Sequence, residues 1–394
     1  MEILDPGSPM ALAQRVGEVF TAWTGQGPEA VVRAPGRVNL IGEHVDYNGG
    51  PVLPLALPHA TYAAARRRED GVLRLRSDDP AAEDWTGAVA DLAPGAVPGW
   101  ASYAAGMVWA MGADGMADGL AGGLDLCVTS TVPTGAGLSS SAALLCAVGV
   151  AVTECLGLPL DDPLRDRLVA AGVRAESEMA GAPTGGMDQT VAMHARRGEL
   201  LLVDFADGHR RRVPSSFGAA GLSLLVVDTR VSHTHTDGGF AERRASTAEA
   251  ARVLGVEHLA RATPEQVATL EDARLRRLAG HVVTETGRVH DAVAALEGED
   301  WVGLGRLLDA SHASLRDDYE VSCAELDLTC EVALAHGALG ARMTGGGFGG
   351  SAVVLLGREH LPGVAAALEA AYADRGWRPP HLLLGEPAAG AGHC

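Results

Sequence analysis

An arginine, two acids, a histidine and two asparagines crowd into the Gly-bounded segment 36–50, as Arg37, Glu43, Asp46, His44, Asn39 and Asn48. Those asparagines are the only two in the chain. Carboxylates accept hydrogen bonds from paired hydroxyls, and amides both give and accept. Polarity this dense, between the apolar runs 30–32 and 51–57, reads as a pocket for a small polyhydroxylated ligand. A solvated turn is the plain alternative, and the mixture of donors and acceptors argues against it.

A second stretch, 133–143, reads Pro-Thr-Gly-Ala-Gly-Leu-Ser-Ser-Ser-Ala-Ala and joins an expected strand to a long apolar helix. Gly135 and Gly137 let the backbone approach a ligand, and Ser139, Ser140 and Ser141 supply hydroxyls. The free N–H groups at the helix start favour an anion. Together these make a phosphate cradle; a helix cap alone needs one serine.

In a third stretch, 181–189, Asp188 follows the turn holding Gly185 and Gly186, and such a turn can present a carboxylate into a cleft. Glu176, on the helix before it, is placed to reach a metal ion or to pair with Arg174. Gly345, Gly347 and Gly350 satisfy the spacing of a dinucleotide-binding loop, but a strand-like run follows where that loop must open a helix. Asp204-Phe205-Ala206 lacks the glycine of the protein-kinase metal motif. His233 and His235, with Asp237 close behind, lack the third firm ligand that a metal site needs.

At 394 residues the chain is long enough for two domains. All 31 basic residues are arginine, so no phosphate-binding lysine, Schiff base or lysine base is available. The net charge of −19 argues against nucleic acid and anionic membrane surfaces as partners. The six cysteines form no Cys-x-x-Cys pair and read as reduced thiols, which fits a cytoplasmic protein. No leader peptide is visible, and the longest apolar run, 142–152, is too short to span a bilayer.

Positioning these segments takes alternating strands and helices. The pattern predicts strands at 31–33 and 52–56, a hairpin from 61–67 and 72–76, a helix over 100–111, a strand over 124–130 and a helix over 140–155. A helix over 163–181 carries Glu176, and strands follow at 199–204 and 223–228. Helices are then expected at 239–254, 264–285, 288–297, 301–314 and 323–335. A strand, Gly loop and strand over 341–356, a helix over 362–375 and a strand over 381–384 complete the chain, with the tail 388–394 frayed. The division between halves is expected at residue 210, giving 1–210 and 211–394.

In this order the stretches resemble the galactokinase branch of the GHMP small-molecule kinases, with the likeness running from residue 33 to about residue 356. Residues 36–50 are similar to the galactokinase signature, 133–143 to the superfamily's ATP-phosphate loop and 344–350 to its third motif. The resemblance implies an α/β (α+β) fold of two domains with the active site in the cleft between them. It implies an enzyme that uses ATP and magnesium to phosphorylate the anomeric hydroxyl of galactose. Position by position, it makes Asp188 the catalytic acid–base group and Arg37 its electrostatic partner. Glu43, His44, Asp46 and Gly185 would line the sugar pocket; Gly135, Gly137, Ser139 and Ser140 would cradle the phosphates. Ser141 and Glu176 would face the magnesium, and Trp100 would lie near adenine. A positive Arg37 beside Asp188 favours late rather than early proton transfer.

Two positions depart from the family pattern. Phe240 stands where a tyrosine is usual, whose hydroxyl commonly helps bind the sugar, and Ser351 stands where cysteine is frequent, with little effect expected. Two rival readings remain at this level. One is a kinase for a related sugar such as arabinose or N-acetylgalactosamine. The other is a non-catalytic sugar sensor, although sensors lack residues of the Ser-rich loop that is complete here.

Overall fold

The computed structural model describes residues 3–116, 118–231 and 239–394. The first half runs α1 (Pro9–Thr24), β1 (Ala30–Asn39), β2 (Pro51–Val52), β3 (Pro54–Arg67), β4 (Val72–Ser77), β5 (Trp85–Ala88), α2 (Ala101–Ala113), β6 (Gly123–Ser130) and α3 (Ser140–Cys155). It continues through α4 (Asp162–Arg174), α5 (Met187–His194), β7 (Glu199–Asp204) and β8 (Arg210–Pro214). The second half runs β9 (Leu222–Asp228), α6 (Gly239–Leu254), α7 (Pro264–Ala268), α8 (Ala273–Glu297), α9 (Trp301–Asp317) and α10 (Ala324–Ala335). It ends with β10 (Ala338–Thr344), β11 (Ser351–Gly357), α11 (Leu361–Asp374), β12 (His381–Leu384) and β13 (Gly392–His393).

A six-stranded sheet in the order β13-β1-β3-β6-β4-β5 carries the first half, and a four-stranded sheet, β10-β11-β9-β12, the second. A small sheet, β2-β7-β8, takes one strand from between β1 and β3 and two from between the larger sheets in sequence, and residue 210 opens β8. The buried α2 and α3 pack with the inward face of the large sheet, while α1 covers the other face through Val16 and Phe20. A further core joins the halves: Val38, Leu40 and Ile41 from segment 36–50 meet Val289 and Val293 of α8 and Val353 and Leu355 of β11. Its continuity holds the two sheets in one arrangement.

Three expectations are corrected. Segments 61–67 and 72–76 do not form a hairpin, because β6 lies between β3 and β4, antiparallel to one and parallel to the other. Alternation shows which face is buried but not which strand lies alongside. The helices expected at 264–285 and 288–297 are redivided: α7 stops at Ala268, Asp272 caps a new helix through the N–H groups of Arg274 and Leu275, and α8 then runs unbroken to Glu297. The tail is not frayed. Gly390 and Ala391 donate to the carbonyls of Ala195 and Ala192, and β13 pairs with β1 at Val32 and Arg33.

Candidate active site

β1 delivers Arg37 from a register shift between Pro35 and Arg37 in its pairing with β3. Such a bulge turns a side chain out of the ladder. The guanidinium of Arg37 takes Asp188 in a two-bond grip, Nε to Oδ1 at 2.7 Å and Nη2 to Oδ2 at 2.8 Å. Its Nη1 donates to the carbonyl of Gly137 at 2.6 Å. Asp188 stands in the first turn of α5, just after Gly186 in the left-handed region. Ser139 donates to the same carboxylate at 2.5 Å.

Ser139 is the residue that opens α3, at φ 61, and its hydroxyl makes no cap bond. The serine-rich loop is therefore not a plain helix cap. Gly135 and Gly137 also hold positive φ, and the N-terminus of the 16-residue α3 faces this loop, with Ser140 half-buried in its first turn. In the same turn, Ser141 donates to Glu176 at 2.6 Å, and Gln189 donates to the other oxygen of the same carboxylate. The helix expected over 163–181 ends at Arg174, and a π turn over residues 175–179 swings Glu176 inward. Burial pushes Glu176 up to about 7 against the bonds from Ser141 and Gln189.

Much of the polarity of segment 36–50 braces the segment itself. Asn39 donates to Glu43 at 2.6 Å, and Asn48 to the carbonyl of His44 at 2.7 Å. Glu43 is 2% exposed. His44, at φ 63, bonds the Tyr47 hydroxyl through Nδ1 and is held neutral by burial, its pKa down to about 3. Asp46 differs: it forms no ion pair among the described residues, and burial lifts it to about 6, with Asp188 and Glu43 adding to the rise. Behind it lies Gly185, where a Cβ would come 2.0 Å from Asp46 Oδ2. Only glycine leaves room for that carboxylate.

Phe240, in the first turn of α6, closes over this segment, its ring 5.7 Å from His44 and 5.5 Å from Tyr47. The glycine turn 345–350 joins the antiparallel strands β10 and β11, so it is no dinucleotide loop. It packs glycine to glycine on the phosphate cradle: a Cβ at Gly345 would come 3.2 Å from the Gly137 carbonyl oxygen. Trp100 donates its indole N–H to the Glu83 carbonyl at 2.9 Å. His233, His235 and Asp237 lie outside the described residues.

Sequence reading missed the support beneath the segment. Glu285 is fully buried and accepts from Gly42 N–H at 2.9 Å, Arg288 at 2.6 Å and Ser311 at 2.7 Å. The neighbouring His281, Arg342 and Arg288 hold it down to about 2 despite burial. Its signal was present: Leu278, Val282, Glu285, Val289, Ala292 and Leu296 form one helical stripe, and only Glu285 is charged. Arg342, fully buried inside β10, is a second such signal.

Three family models match in chain order. They are the galactokinase galactose-binding signature over residues 18–67, the GHMP kinases N terminal domain over 102–196 and the GHMP kinases C terminal region over 292–374. A galactokinase of Streptomyces coelicolor is 47% identical over 387 residues, covering 97% of this chain and 98% of that protein. One of Chloroflexus aurantiacus is 38% identical over 94% of this chain and 95% of that protein. The crystal structure of Lactococcus lactis galactokinase complexed with galactose aligns at TM-score 0.90 and 30% identity, covering 97% of this chain and 99% of that one. A mevalonate kinase shares the fold alone, at TM-score 0.65 and 17% identity over 90% of this chain and 98% of that one. Fold and site thus define a two-domain GHMP small-molecule kinase. Within that class, the chain belongs to the galactokinase family.

Proposed function

We propose that this chain transfers the terminal phosphoryl group of ATP to the anomeric hydroxyl of galactose. One observation carries the reading: Arg37 joins Asp188 to the carbonyl of Gly137, so the carboxylate and the phosphate loop are fixed by one side chain. Phosphoryl transfer asks for positioning and charge stabilisation more than for covalent help. Asp188 accepts the hydroxyl proton, Arg37 steadies the charge that moves, and Asp46 beside Gly185 receives sugar hydroxyls. Glu43 and His44 complete the sugar side, with Phe240 as its lid. Gly135, Gly137 and Ser140 cradle the phosphates, and Trp100 is assigned to the adenine end.

Both oxygens of Asp188 already accept strong bonds from Arg37 and Ser139. Taking a proton disrupts that set, which supports transfer late in the reaction, once the bond to phosphorus has formed. Ser139 therefore serves Asp188 as well as the phosphates.

The oxygen donors of Ser141 and Glu176 suit magnesium, and a divalent cation would stabilise the buried Glu176 carboxylate. When bound, the ion would neutralise phosphate charge. Among the described residues no helix is long and apolar enough to cross a membrane. Six free cysteines support a cytoplasmic setting.

The test is ADP release with magnesium and ATP across galactose, glucose, talose, arabinose, galactosamine and N-acetylgalactosamine. Preference for galactose is expected, and preference for another sugar moves the substrate. Asp188→Asn is expected to lower kcat about 10²- to 10⁴-fold while sugar binding persists. Near-normal turnover by that variant removes Asp188 from proton transfer.

A further inference from the structure

The two oxygens of Glu43 are occupied unequally. Oε1 accepts from the Thr344 hydroxyl and the Gly345 N–H, each at 2.7 Å, and lies 3.6 Å from Nη2 of Arg342. Among the described residues Oε2 accepts one bond, from Asn39 at 2.6 Å. A carboxylate oxygen carries two lone pairs, so Oε1 is filled and Oε2 keeps one. Every group on Oε1 comes from the second half of the chain, from β10 and the residue after it.

The same strand holds the backbone that leads into segment 36–50. Arg342 Nη1 donates to the carbonyls of Asn39 at 3.2 Å and Leu40 at 3.0 Å. The Thr344 hydroxyl also lies 3.1 Å from the Asn39 carbonyl. Arg342 is fully buried, yet among the described residues its Nε and Nη2 have no hydrogen-bond partner. A buried cation with incomplete bonds is a poor source of stability, and an apolar side chain of similar size usually serves better. Its position, with Nη2 turned toward Glu43 and Nη1 on the β1 exit, accounts for it as an orienting group.

We propose that Thr344 and Arg342 are positioning residues for the sugar. They set the rotation of Glu43 so that the free lone pair of Oε2 meets a ligand hydroxyl, which makes the sugar site a product of both halves. This rests on the galactose-kinase reading above. The Thr344 hydroxyl and the Arg342 guanidinium contact Glu43 and the end of β1, whereas the glycine turn beyond them packs on the phosphate loop. Losing the hydroxyl therefore separates the two substrates.

The test is steady-state kinetics of Thr344→Val, which is nearly isosteric, with Thr344→Ser and Arg342→Lys beside it. Thr344→Val raises the galactose KM about tenfold and leaves the ATP KM within about twofold. Thr344→Ser restores the galactose KM, and Arg342→Lys, too short to reach both carbonyls and Glu43, raises it. An unchanged galactose KM, an equal rise for both substrates, or failure of serine to restore overturns the proposal. Each value is read against the parent enzyme on galactose, so an inactive parent identifies failure of the kinase reading itself.

Discussion

Ser351 donates its hydroxyl to the carbonyl oxygen of Ala136 at 2.7 Å, tying the first residue of β11 to the serine-rich loop of the other half. The serine is fully buried, and beside it Gly345 and Gly350 press against Gly137 and Ala136. A position where exchange with cysteine looked inconsequential thus anchors the loop. Ser351→Ala leaves a buried carbonyl without this donor, at a cost of about 1–3 kcal/mol. The expected result is an ATP KM raised about five- to tenfold with a smaller change for galactose. Ser351→Cys, with its weak S–H donor, should fall between the two. Steady-state kinetics with each substrate varied in turn decides it, and an unmoved ATP KM in the alanine variant removes the anchor.

The sugar side rests on an equally close fit. A methyl group on residue 185 would overlap Asp46 Oδ2 at 2.0 Å, and the residue's backbone is not in the left-handed region. Gly185→Ala therefore acts by displacing a carboxylate rather than by backbone strain. A displacement of about 1 Å at a positioned group can cost about a hundredfold. The expectation is a galactose KM raised at least tenfold, with ATP binding preserved. Isothermal titration with each ligand separates the two, and equal losses would place the damage elsewhere.

Long, regularly patterned segments were legible from residue types alone. α3 over Ser140–Cys155, β7 over Glu199–Asp204 and α6 over Gly239–Leu254 begin and end where the periodicity says. α1 was not read, because only Val16 and Phe20 of its face are buried and the stripe is thin. The insertion of β6 between β3 and β4 is a long-range choice that neither strand encodes locally. Arg37, Asp188, Ser139 and Ser141 stood out because each lies in a glycine-marked or serine-rich segment, and Glu176 as an acid on the helix before Asp188; Asp188 meets Arg37 and Ser139, and Glu176 meets Ser141. Thr344, Arg342 and Glu285 were not read: the charges of Arg342 and Glu285 stand out against buried apolar neighbours, but each of the three acts on a residue some 240 to 300 positions away.

Phe240 lies against His44 and Tyr47, while the Nε2 of His44 is buried without a hydrogen-bond partner among the described residues. A hydroxyl at position 240 would add a donor and acceptor to that aromatic cluster. Phe240→Tyr is expected to lower the galactose KM by about two- to tenfold, the size of one net hydrogen bond. The sugar panel repeated on this variant also reads selectivity. A galactose KM that is unchanged or raised means the phenyl ring alone performs the role.

His281 is one of the buried groups whose titration couples to acid stability. It lies under the sugar segment, fully buried, with Nε2 at 3.1 Å from the Glu43 carbonyl and Nδ1 at 3.0 Å from Ser314. Burial lowers its pKa to about 4, against about 6.5 in the unfolded chain. The unfolded chain therefore binds a proton that the folded one refuses. Stability from this group is fully present above pH 6.5 and is lost as pH falls toward 4, at up to about 1.4 kcal/mol per pH unit. Other groups titrate nearby and in both directions, Asp46 among them with its pKa raised to about 6. The difference between parent and His281→Gln isolates this one. The glutamine variant should be less stable at pH 7, where it loses a bond, yet lose about 2 kcal/mol less than the parent between pH 7 and pH 5. Urea unfolding at the two pH values measures both quantities, and parallel losses in parent and variant would show that folding leaves the His281 pKa unshifted.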